Sequence, residues 1–234
     1  MDISALNERF EHASTEEILV WVWETFAPDI ATSSSFQTQS VPLLHIISRV
    51  CPEMLVIFID TGFHFPETLA FRDKLQAQFN LNIRIVRPTI TQSELLQQYG
   101  EALYRHDPDL CCYINKVSPM QWITSRVKAL VSGVRRDQTA NRQTMNALHA
   151  PTKGPLQIHP MLNWTRADVQ AYRQAHDLPV HPLYNRGYVS VGCAPCTRPV
   201  FLGEDERAGR WADSDKKECG LHLDWNEEGE NHEQ

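Results

Sequence analysis

The chain lacks the glycine-rich signatures of the common nucleotide-binding folds. Its 234 residues contain no G-x-x-x-x-G-K-[ST] sequence and no G-x-G-x-x-G sequence. Neither a Walker-type P-loop nor a dinucleotide-binding turn is therefore predicted. Long hydrophobic runs are missing as well. The longest apolar segments, residues 18–23 and 54–59, are far too short to span a bilayer.

A targeting segment is also missing from the first residues. Met1 to Ser4 are acidic and polar, and no apolar stretch of signal-peptide length follows them. The sequence therefore predicts a cytoplasmic protein without membrane association. In that compartment the six cysteines are expected to serve metal binding or redox chemistry, because structural disulfides are rare there.

Negative charge is concentrated at the end of the chain. The net charge is −7, of which five acidic side chains in residues 224–234 supply −5 and all other residues −2. The nearly neutral body argues against nucleic-acid binding. Residues 224–234 contain no aliphatic side chain and are predicted to form a disordered acidic tail. Residues 1–223, with enough hydrophobic content for a core, are predicted to form a single domain.

Hydrophobic patterning predicts alternating strands and helices. The predicted helices are 7–26, 41–50, 68–79, 91–99 and 167–176, and the predicted strands are 30–32, 54–59, 81–86 and 129–132. Residues 54–59 are apolar throughout, which is typical of a strand buried on both faces of a parallel sheet. The alternation implies right-handed crossovers and an α/β fold with a doubly wound, mostly parallel sheet.

Three polar turns follow predicted strands, at the sheet edge where such folds bind ligands. They are residues 33–40, 60–65 and 133–138. The first is rich in serine, and hydroxyl and N–H groups entering a helix form a phosphate-sized anion site. Alone, this loop is more simply a serine-rich helix cap. Arg135, Arg136 and Arg142 after a neighbouring strand make the anion site the favoured interpretation.

Four cysteines form two distant pairs, Cys111 with Cys112 and Cys193 with Cys196. A lone C-x-x-C sequence leaves metal binding, a redox dithiol and chance open. Adjacent residues on a helix project about 100° apart, so the first pair cannot comfortably bind one tetrahedral ion. A cubane offers each thiolate its own iron, which favours a [4Fe–4S] cluster over zinc. Lys116 would then place a positive charge beside the cluster, although solvated helix lysines are common.

The two remaining cysteines have different settings. Cys51, between Val50 and Pro52, is most simply a small buried residue. Cys219 has charged neighbours and is predicted to be exposed. Lys216 and Lys217 precede it, and nearby cations raise the thiolate fraction of a cysteine. The alternatives for Cys219 are an incidental surface thiol and a nucleophile on a mobile segment that closes over a substrate.

These motifs together resemble the signature of the assimilatory sulfonucleotide reductases, the adenylylsulfate (APS) and phosphoadenylylsulfate (PAPS) reductase family. The resemblance covers roughly residues 28–223. It rests on the two cysteine pairs and on residues 60–68, 133–138, 163–169, 187–193 and 217–222. It implies an adenine nucleotide alpha-hydrolase-like (PP-loop) fold and an enzyme that reduces APS to sulfite and AMP in sulfate assimilation.

The resemblance also implies a role for each site residue. Cys219 would form an S-sulfocysteine, which thioredoxin or glutaredoxin would resolve. One [4Fe–4S] cluster per chain would bind Cys111, Cys112, Cys193 and Cys196. Residues expected to hold the nucleotide are Ser33, Ser34, Ser35, Phe36, Gln37, Gly133 and Arg142. The phosphosulfate would contact Lys116, Arg207 and Arg210, and His222 would support a closed catalytic tail of about residues 204–223.

Several alternatives stay open. The cysteine quartet resembles APS reductases, but residues 33–36 and 114–117 also look like the cluster-free PAPS reductases, so PAPS is a second substrate candidate. Gln37 stands where the family more often has glycine. Other classes are a zinc-stapled PP-loop ATP pyrophosphatase, which would not need Cys219, and an iron–sulfur redox sensor, which would not need the anion loop. The number of subunits is left open, a homo-oligomer included.

Overall fold

A six-stranded, mostly parallel sheet forms the centre of the chain, which a computed structural model describes over residues 1–216 and 218–221. The strands are β1 (Ile30–Ser33), β2 (Leu55–Ile59), β3 (Asn82–Val86), β4 (Ala129–Val131), β5 (Leu148–His149) and β6 (Leu156–Ile158). Their order is β3-β2-β1-β4-β6-β5, and only β5 runs antiparallel to its neighbour. The chain reaches β3 at one edge and then returns to the other side of β1. The predicted doubly wound, mostly parallel sheet is confirmed.

Helices connect and flank these strands. They are α1 (Ile3–Phe10), α2 (Thr15–Phe26), α3 (Val41–Val50), α4 (Pro66–Phe79), α5 (Gln92–Tyr99), α6 (Leu103–His106), α7 (Pro108–Cys112), α8 (Ser118–Thr124) and α9 (Arg166–Ala175). A π-helical turn, Tyr113–Val117, joins α7 to α8. In the described part of the chain no helix combines the length and apolar character needed to cross a membrane.

One predicted helix, residues 7–26, was wrong because the chain breaks it in two. The hydroxyl of Ser14 accepts a hydrogen bond from the Glu17 N–H (3.2 Å), and the Glu17 carboxylate accepts one from the Ser14 N–H (2.7 Å). This reciprocal capping box starts α2 and separates it from α1. Its Ser-x-x-Glu pattern is visible in the sequence.

Strand β2 is buried on both faces, as its continuous apolar run predicted. Val56 and Phe58 pack with α3 and α4 on one face. Ile57 and Ile59 pack with α8 on the other. Each fully buried aliphatic or aromatic side chain stabilises the fold by about 1.5–3 kcal/mol. The two-sided core holds the carboxyl ends of β1, β2 and β4 in fixed positions, and the polar turns that follow them meet there.

Two predictions concern residues outside the described part of the chain. The disordered acidic tail at residues 224–234 lies there, and so does His222, the residue expected to support a closed tail. The domain boundary at residue 223 likewise stays a prediction. Cys51 is described, and its interpretation is confirmed: it is fully buried, with its thiol 3.5 Å from the Leu19 carbonyl oxygen.

Candidate active site

A pocket opens beyond the carboxyl ends of β1, β2 and β4, where the strand order switches. It encloses ≈1000 Å³, counting the space at its open mouth. Ten residues singled out from the sequence line it, namely Ser33, Ser34, Ser35, Gln37, Lys116, Gly133, Arg142, Arg207, Arg210 and Cys219. Residues from five separate parts of the chain therefore meet at one sheet edge, the position that α/β folds use for ligands.

The serine-rich loop is shaped by its neighbours. The Ser34 N–H donates to the Ile57 carbonyl (3.0 Å), and the Ser34 hydroxyl accepts from the Phe36 N–H (3.1 Å). Phe36 takes the left-handed conformation (φ 53°), and its side chain packs edge-to-face on Phe58, 5.5 Å between ring centroids. Phe36 thus lies in the core and does not line the pocket, whereas Ser33 and Ser35 do.

Gln37 departs from the glycine that the resemblance suggested, and its geometry explains the difference. Its backbone is extended (φ −84°), so the position needs no glycine. Its side-chain oxygen accepts a hydrogen bond from the Val191 N–H (3.0 Å). The loop is thereby tied to the segment that leads into Cys193.

Cations surround one indole ring inside the pocket. Trp211 is buried, and its ring centroid lies 4.4 Å from the Arg210 guanidinium, 5.9 Å from that of Arg207 and 6.0 Å from the Lys116 amine. Gly192 makes room for Arg210, because a Cβ there would overlap the guanidinium. An aromatic face stabilises cations without neutralising them. The indole therefore leaves their positive charge in the pocket, where an anion can meet it.

Lys116 joins this pocket to the cysteines. It is half-buried, and it lines both the main pocket and a smaller one behind it. Burial opposes its charge, but the nearby Cys193, Cys112 and Cys219 sulfurs outweigh burial and raise the pKa of Lys116. A lysine in this position stays protonated and favours negative charge on neighbouring sulfur.

Cys219 lies at the pocket wall, and its segment is held by Glu218. The Glu218 carboxylate accepts hydrogen bonds from Arg142 Nε (3.1 Å) and Nη2 (2.8 Å), and from Arg207 Nη2 (3.2 Å). The Thr139 hydroxyl donates a further one (3.3 Å). Cys219 is half-buried, so the predicted exposure was too high. The segment folds inward because Glu218 pairs with Arg142, on the loop after β4, and with Arg207.

The four paired cysteines line the smaller pocket together. Cys111 and Cys112 reach it from the end of α7, and Cys193 and Cys196 reach it from either end of a tight turn. Cys193 also lines the main pocket. Two pairs that are about eighty residues apart in the sequence thus meet beside the candidate active site. Within the described residues, no three cysteine, histidine or carboxylate side chains converge to hold a single metal ion.

The surroundings of these sulfurs supply donors and suppress ionisation. Burial, reinforced by the other sulfurs, raises the pKa of Cys111 to about 12 and that of Cys196 to about 11. Thr61 Oγ1 lies 3.4 Å from Cys193 Sγ, and the Asn115 amide approaches Cys111 Sγ at 3.7 Å. Without a bound cation the Cys111 and Cys196 thiols are protonated at neutral pH. A metal centre that displaces the protons would find four cysteine side chains lining one pocket.

Several pocket residues were missed in the sequence. Glu218 lies in the 217–222 motif but had no predicted role, and Trp211 lies in none of the motifs. Gln138 lies in the 133–138 turn, and its side-chain oxygen accepts from the Arg135 N–H (3.1 Å) and from Arg142. His64 lies in the 60–68 motif; its Nε2 is 2.9 Å from the Ile59 carbonyl oxygen, and burial lowers its pKa. The motifs that contain Gln138 and His64 were the available signal for both.

Comparison with known proteins gives a consistent result. The family model described as phosphoadenosine phosphosulfate reductase domain matches residues 29–199. A Streptomyces coelicolor protein named adenosine 5'-phosphosulfate reductase is 42% identical over 226 residues, which cover 94% of this chain and 95% of that one. A protein of the same name from Halalkalibacterium halodurans is 35% identical, with 95% of this chain and 97% of that one covered.

Solved structures extend the comparison. The phosphoadenylyl-sulfate (PAPS) reductase of Candida auris, solved as a phosphate complex, superposes with a TM-score of 0.74 at 28% identity, covering 84% of this chain and 96% of that one. Candida glabrata FMN adenylyltransferase superposes with a TM-score of 0.60 at 14% identity, covering 94% and 78%, a likeness of fold alone. With the strand order, these likenesses confirm the α/β fold of PP-loop type that the resemblance implied.

Proposed function

Because the chain belongs to the phosphoadenosine phosphosulfate reductase family, we propose that it reduces adenosine 5'-phosphosulfate to sulfite and AMP in sulfate assimilation. The curated relatives that carry the APS reductase name match nearly its whole length. The observation that carries the proposal is the single pocket that combines a hydroxyl-rich loop, four cationic side chains and the Cys219 thiol. Family membership sets aside the ATP pyrophosphatase and redox-sensor alternatives.

The nucleotide and its anion have separate parts of the pocket in this proposal. Ser33, Ser34, Ser35, Gln37, Gly133 and Arg142 line the pocket at the sheet edge and hold the nucleotide. Lys116, Arg207 and Arg210 lie with Trp211 near the tail and bind the phosphosulfate. Guanidinium groups form forked, charge-assisted hydrogen bonds with such anions. They would also stabilise the negative charge that develops on the leaving phosphate.

Cys219 is the proposed nucleophile. Its thiolate electron pair forms a bond to the sulfonate sulfur, the bond from that sulfur to the phosphate oxygen breaks, and AMP leaves with the electron pair. A thiolate of thioredoxin or glutaredoxin then attacks Cys219 Sγ and releases sulfite. The second thiol of the donor resolves the mixed disulfide, so that the dithiol supplies both electrons and Cys219 is regenerated.

We further propose that Cys111, Cys112, Cys193 and Cys196 hold one [4Fe–4S] cluster. The residues fit that group: four buried or half-buried thiols line one pocket, and two of them are adjacent on a helix, where a cubane offers separate irons. The Trp211 indole N–H is buried and has no acceptor among the described residues, although its backbone bonds to Cys196. The cluster would supply fixed negative charge beside Lys116; the reducing electrons come from the external dithiol.

Sulfite release with a thioredoxin donor, measured with APS and PAPS in parallel, tests the proposal. We expect turnover with APS, and Cys219→Ser should bind APS but release no sulfite. Undiminished turnover by that variant would contradict the nucleophile assignment. Anaerobically purified protein should contain about four irons and four sulfides per chain; zinc in their place would rule out the cluster.

A second candidate is PAPS reduction, which would give sulfite and adenosine 3',5'-bisphosphate. It is favoured by the superposition on the Candida auris PAPS reductase. A kcat/KM for PAPS equal to or above that for APS would establish it. The two activities use the same nucleophile, so Cys219→Ser abolishes both and serves as the common control.

A further inference from the structure

Glu218 occupies a singular position in the pocket. Of the described residues that line it, Glu218 is the one with a carboxylate, and four lining residues are Lys or Arg. Its side chain is only 9% exposed, and that of its partner Arg142 is 8% exposed. A carboxylate this deeply buried needs compensating donors, and it has them on both oxygens. The contacts are therefore built into the site.

The two arginines that donate to Glu218 are groups that the proposed function assigns to the substrate. Arg142 binds the carboxylate through two nitrogens, at 3.1 and 2.8 Å, and Arg207 adds a third contact at 3.2 Å. This forked arrangement is the one in which arginine also binds phosphate. Glu218 and bound APS would therefore compete for the hydrogen bonds that Arg142 and Arg207 donate.

We propose that Glu218 is an internal competitor of the substrate anion and holds the nucleophile segment closed over the empty pocket. Glu218, Arg142 and Arg207 form this latch. The inference rests on the proposed function, since it takes Arg142 and Arg207 as substrate-binding groups. When bound APS takes the two arginines, the carboxylate loses its arginine donors and is repelled by the incoming negative charge.

The latch couples substrate binding to movement of the nucleophile, because Glu218 is the residue immediately before Cys219. Releasing the carboxylate frees the backbone that carries the thiol, which can then align with the sulfonate sulfur. Such coupling is reciprocal. Because an anion must open the latch in order to bind, its binding is weaker than binding to an open pocket, and the difference is the free energy needed to open the latch. A latch that is closed about 90% of the time weakens the apparent affinity about tenfold.

The first measurement follows the thiol without any nucleotide. Iodoacetamide alkylation of Cys219 is read from its own peptide by mass spectrometry, at alkaline pH values where the rate no longer rises. That plateau reports access to the thiol and is insensitive to a change in its ionisation. We expect Glu218→Gln to raise the plateau rate about tenfold, in proportion to the open fraction. Glu218→Asp, which keeps the charge on a shorter chain, should give an intermediate rate.

Glu204→Gln is the matched control. Glu204 belongs to the same segment but pairs with Arg198 at 2.8 Å and does not line the pocket. The Glu204→Gln variant also removes a carboxylate of this segment that is paired with arginine, and its plateau rate should equal that of the parent. Circular dichroism of each variant verifies that the fold is retained.

The second measurement is the dissociation constant for APS in the Cys219→Ser background, where no reaction follows binding. The latch predicts that adding Glu218→Gln tightens APS binding about tenfold. Weaker APS binding, or an unchanged Cys219 plateau rate, would overturn the proposal, because Glu218 would then organise the arginines for the substrate. If neither variant bound APS while the plateau rate still rose tenfold, the latch would stand and the proposed function would fall.

Discussion

Protonation of His181 should make the fold sensitive to mild acid. The ring is fully buried, its Nδ1 accepts from the Leu183 N–H (3.2 Å), and Nε2 lies 3.0 Å from Thr68 Oγ1. Nδ1 must therefore be unprotonated, and Nε2 carries the hydrogen. The His181 backbone N–H also donates to Thr38 Oγ1 (3.1 Å), which links this residue to the serine-rich loop. A second proton would break the Leu183 bond.

The magnitude follows from the pKa. Burial lowers the pKa of His181 from 6.5 to about 4. Between these pH values His181 is neutral in the folded state and protonated in the unfolded state. Its contribution to the free energy of unfolding is therefore full above pH 6.5 and declines as the pH falls toward 4. Without allowance for solvent screening, this pKa shift lowers the free energy of unfolding by about 2 kcal/mol at pH 5. Allowing for partial screening by solvent, we expect a loss of about 1–2 kcal/mol.

Urea unfolding at pH 7 and pH 5 measures this loss, and His181→Gln separates it from other titrating groups. The variant will be less stable at pH 7, but its free energy of unfolding should fall by about 1–2 kcal/mol less between the two pH values. His12→Gln, at an exposed position, should retain the full parental decline. Equal declines in the parent and His181→Gln would refute the reasoning.

Three further predictions concern particular contacts. Gly192→Ala should displace Arg210, and steady-state kinetics should show a KM for APS raised about tenfold with a smaller effect on kcat. In an Arg210→Ala background the same substitution should leave the KM unchanged. Phe36→Ala should remove a buried ring and lower the free energy of unfolding by about 3–5 kcal/mol in a urea titration, with Phe36→Leu losing much less. Ser14→Ala should cost about 1 kcal/mol in the same titration, and a cost near zero would contradict the capping box.

The main strands and long helices were predictable because each has a strong local signal. The helix predicted at 41–50 is α3, and the strand predicted at 54–59 is β2 apart from its first residue. Periodicity alone did not locate the end of α1, since residues 11–17 are almost entirely polar and carry no apolar pattern that could mark a boundary. Strand β5, with two residues, carries no periodicity at all, and its place is set by pairing with β6.

The site was predictable to the extent that it follows from motifs at strand ends. Ser33 and Arg142 meet because β1 and β4 are neighbours, and the alternation of elements gave that edge its ligand-binding role. Phe36 was assigned to the pocket, but a left-handed backbone turns its side chain into the core. The role of Glu218 depends on a contact across 76 residues of sequence, which no local pattern reports.

The π-helical turn explains why the cysteines and Lys116 act on one another. In a regular α-helix each N–H bonds four residues back, but here the Ser118 N–H donates to the Tyr113 carbonyl, five residues back. The extra residue changes the angular register between α7 and α8. Cys111 and Cys112 can then line the smaller pocket while Lys116 lines both pockets.

The Asn115 side-chain amide, in the same turn, donates to the Cys111 carbonyl (2.9 Å) and also approaches the Cys111 sulfur. In a regular α-helix, residues one turn apart, such as Cys112 and Lys116, would lie on the same face of the helix. The charge that raises the pKa of Lys116 comes from both pockets, since Cys193 and Cys112 line the smaller one and Cys219 the larger. Lys116 therefore links the charge of the four-cysteine pocket to Cys219 through space, beside the direct interaction between the Cys112 and Cys219 sulfurs.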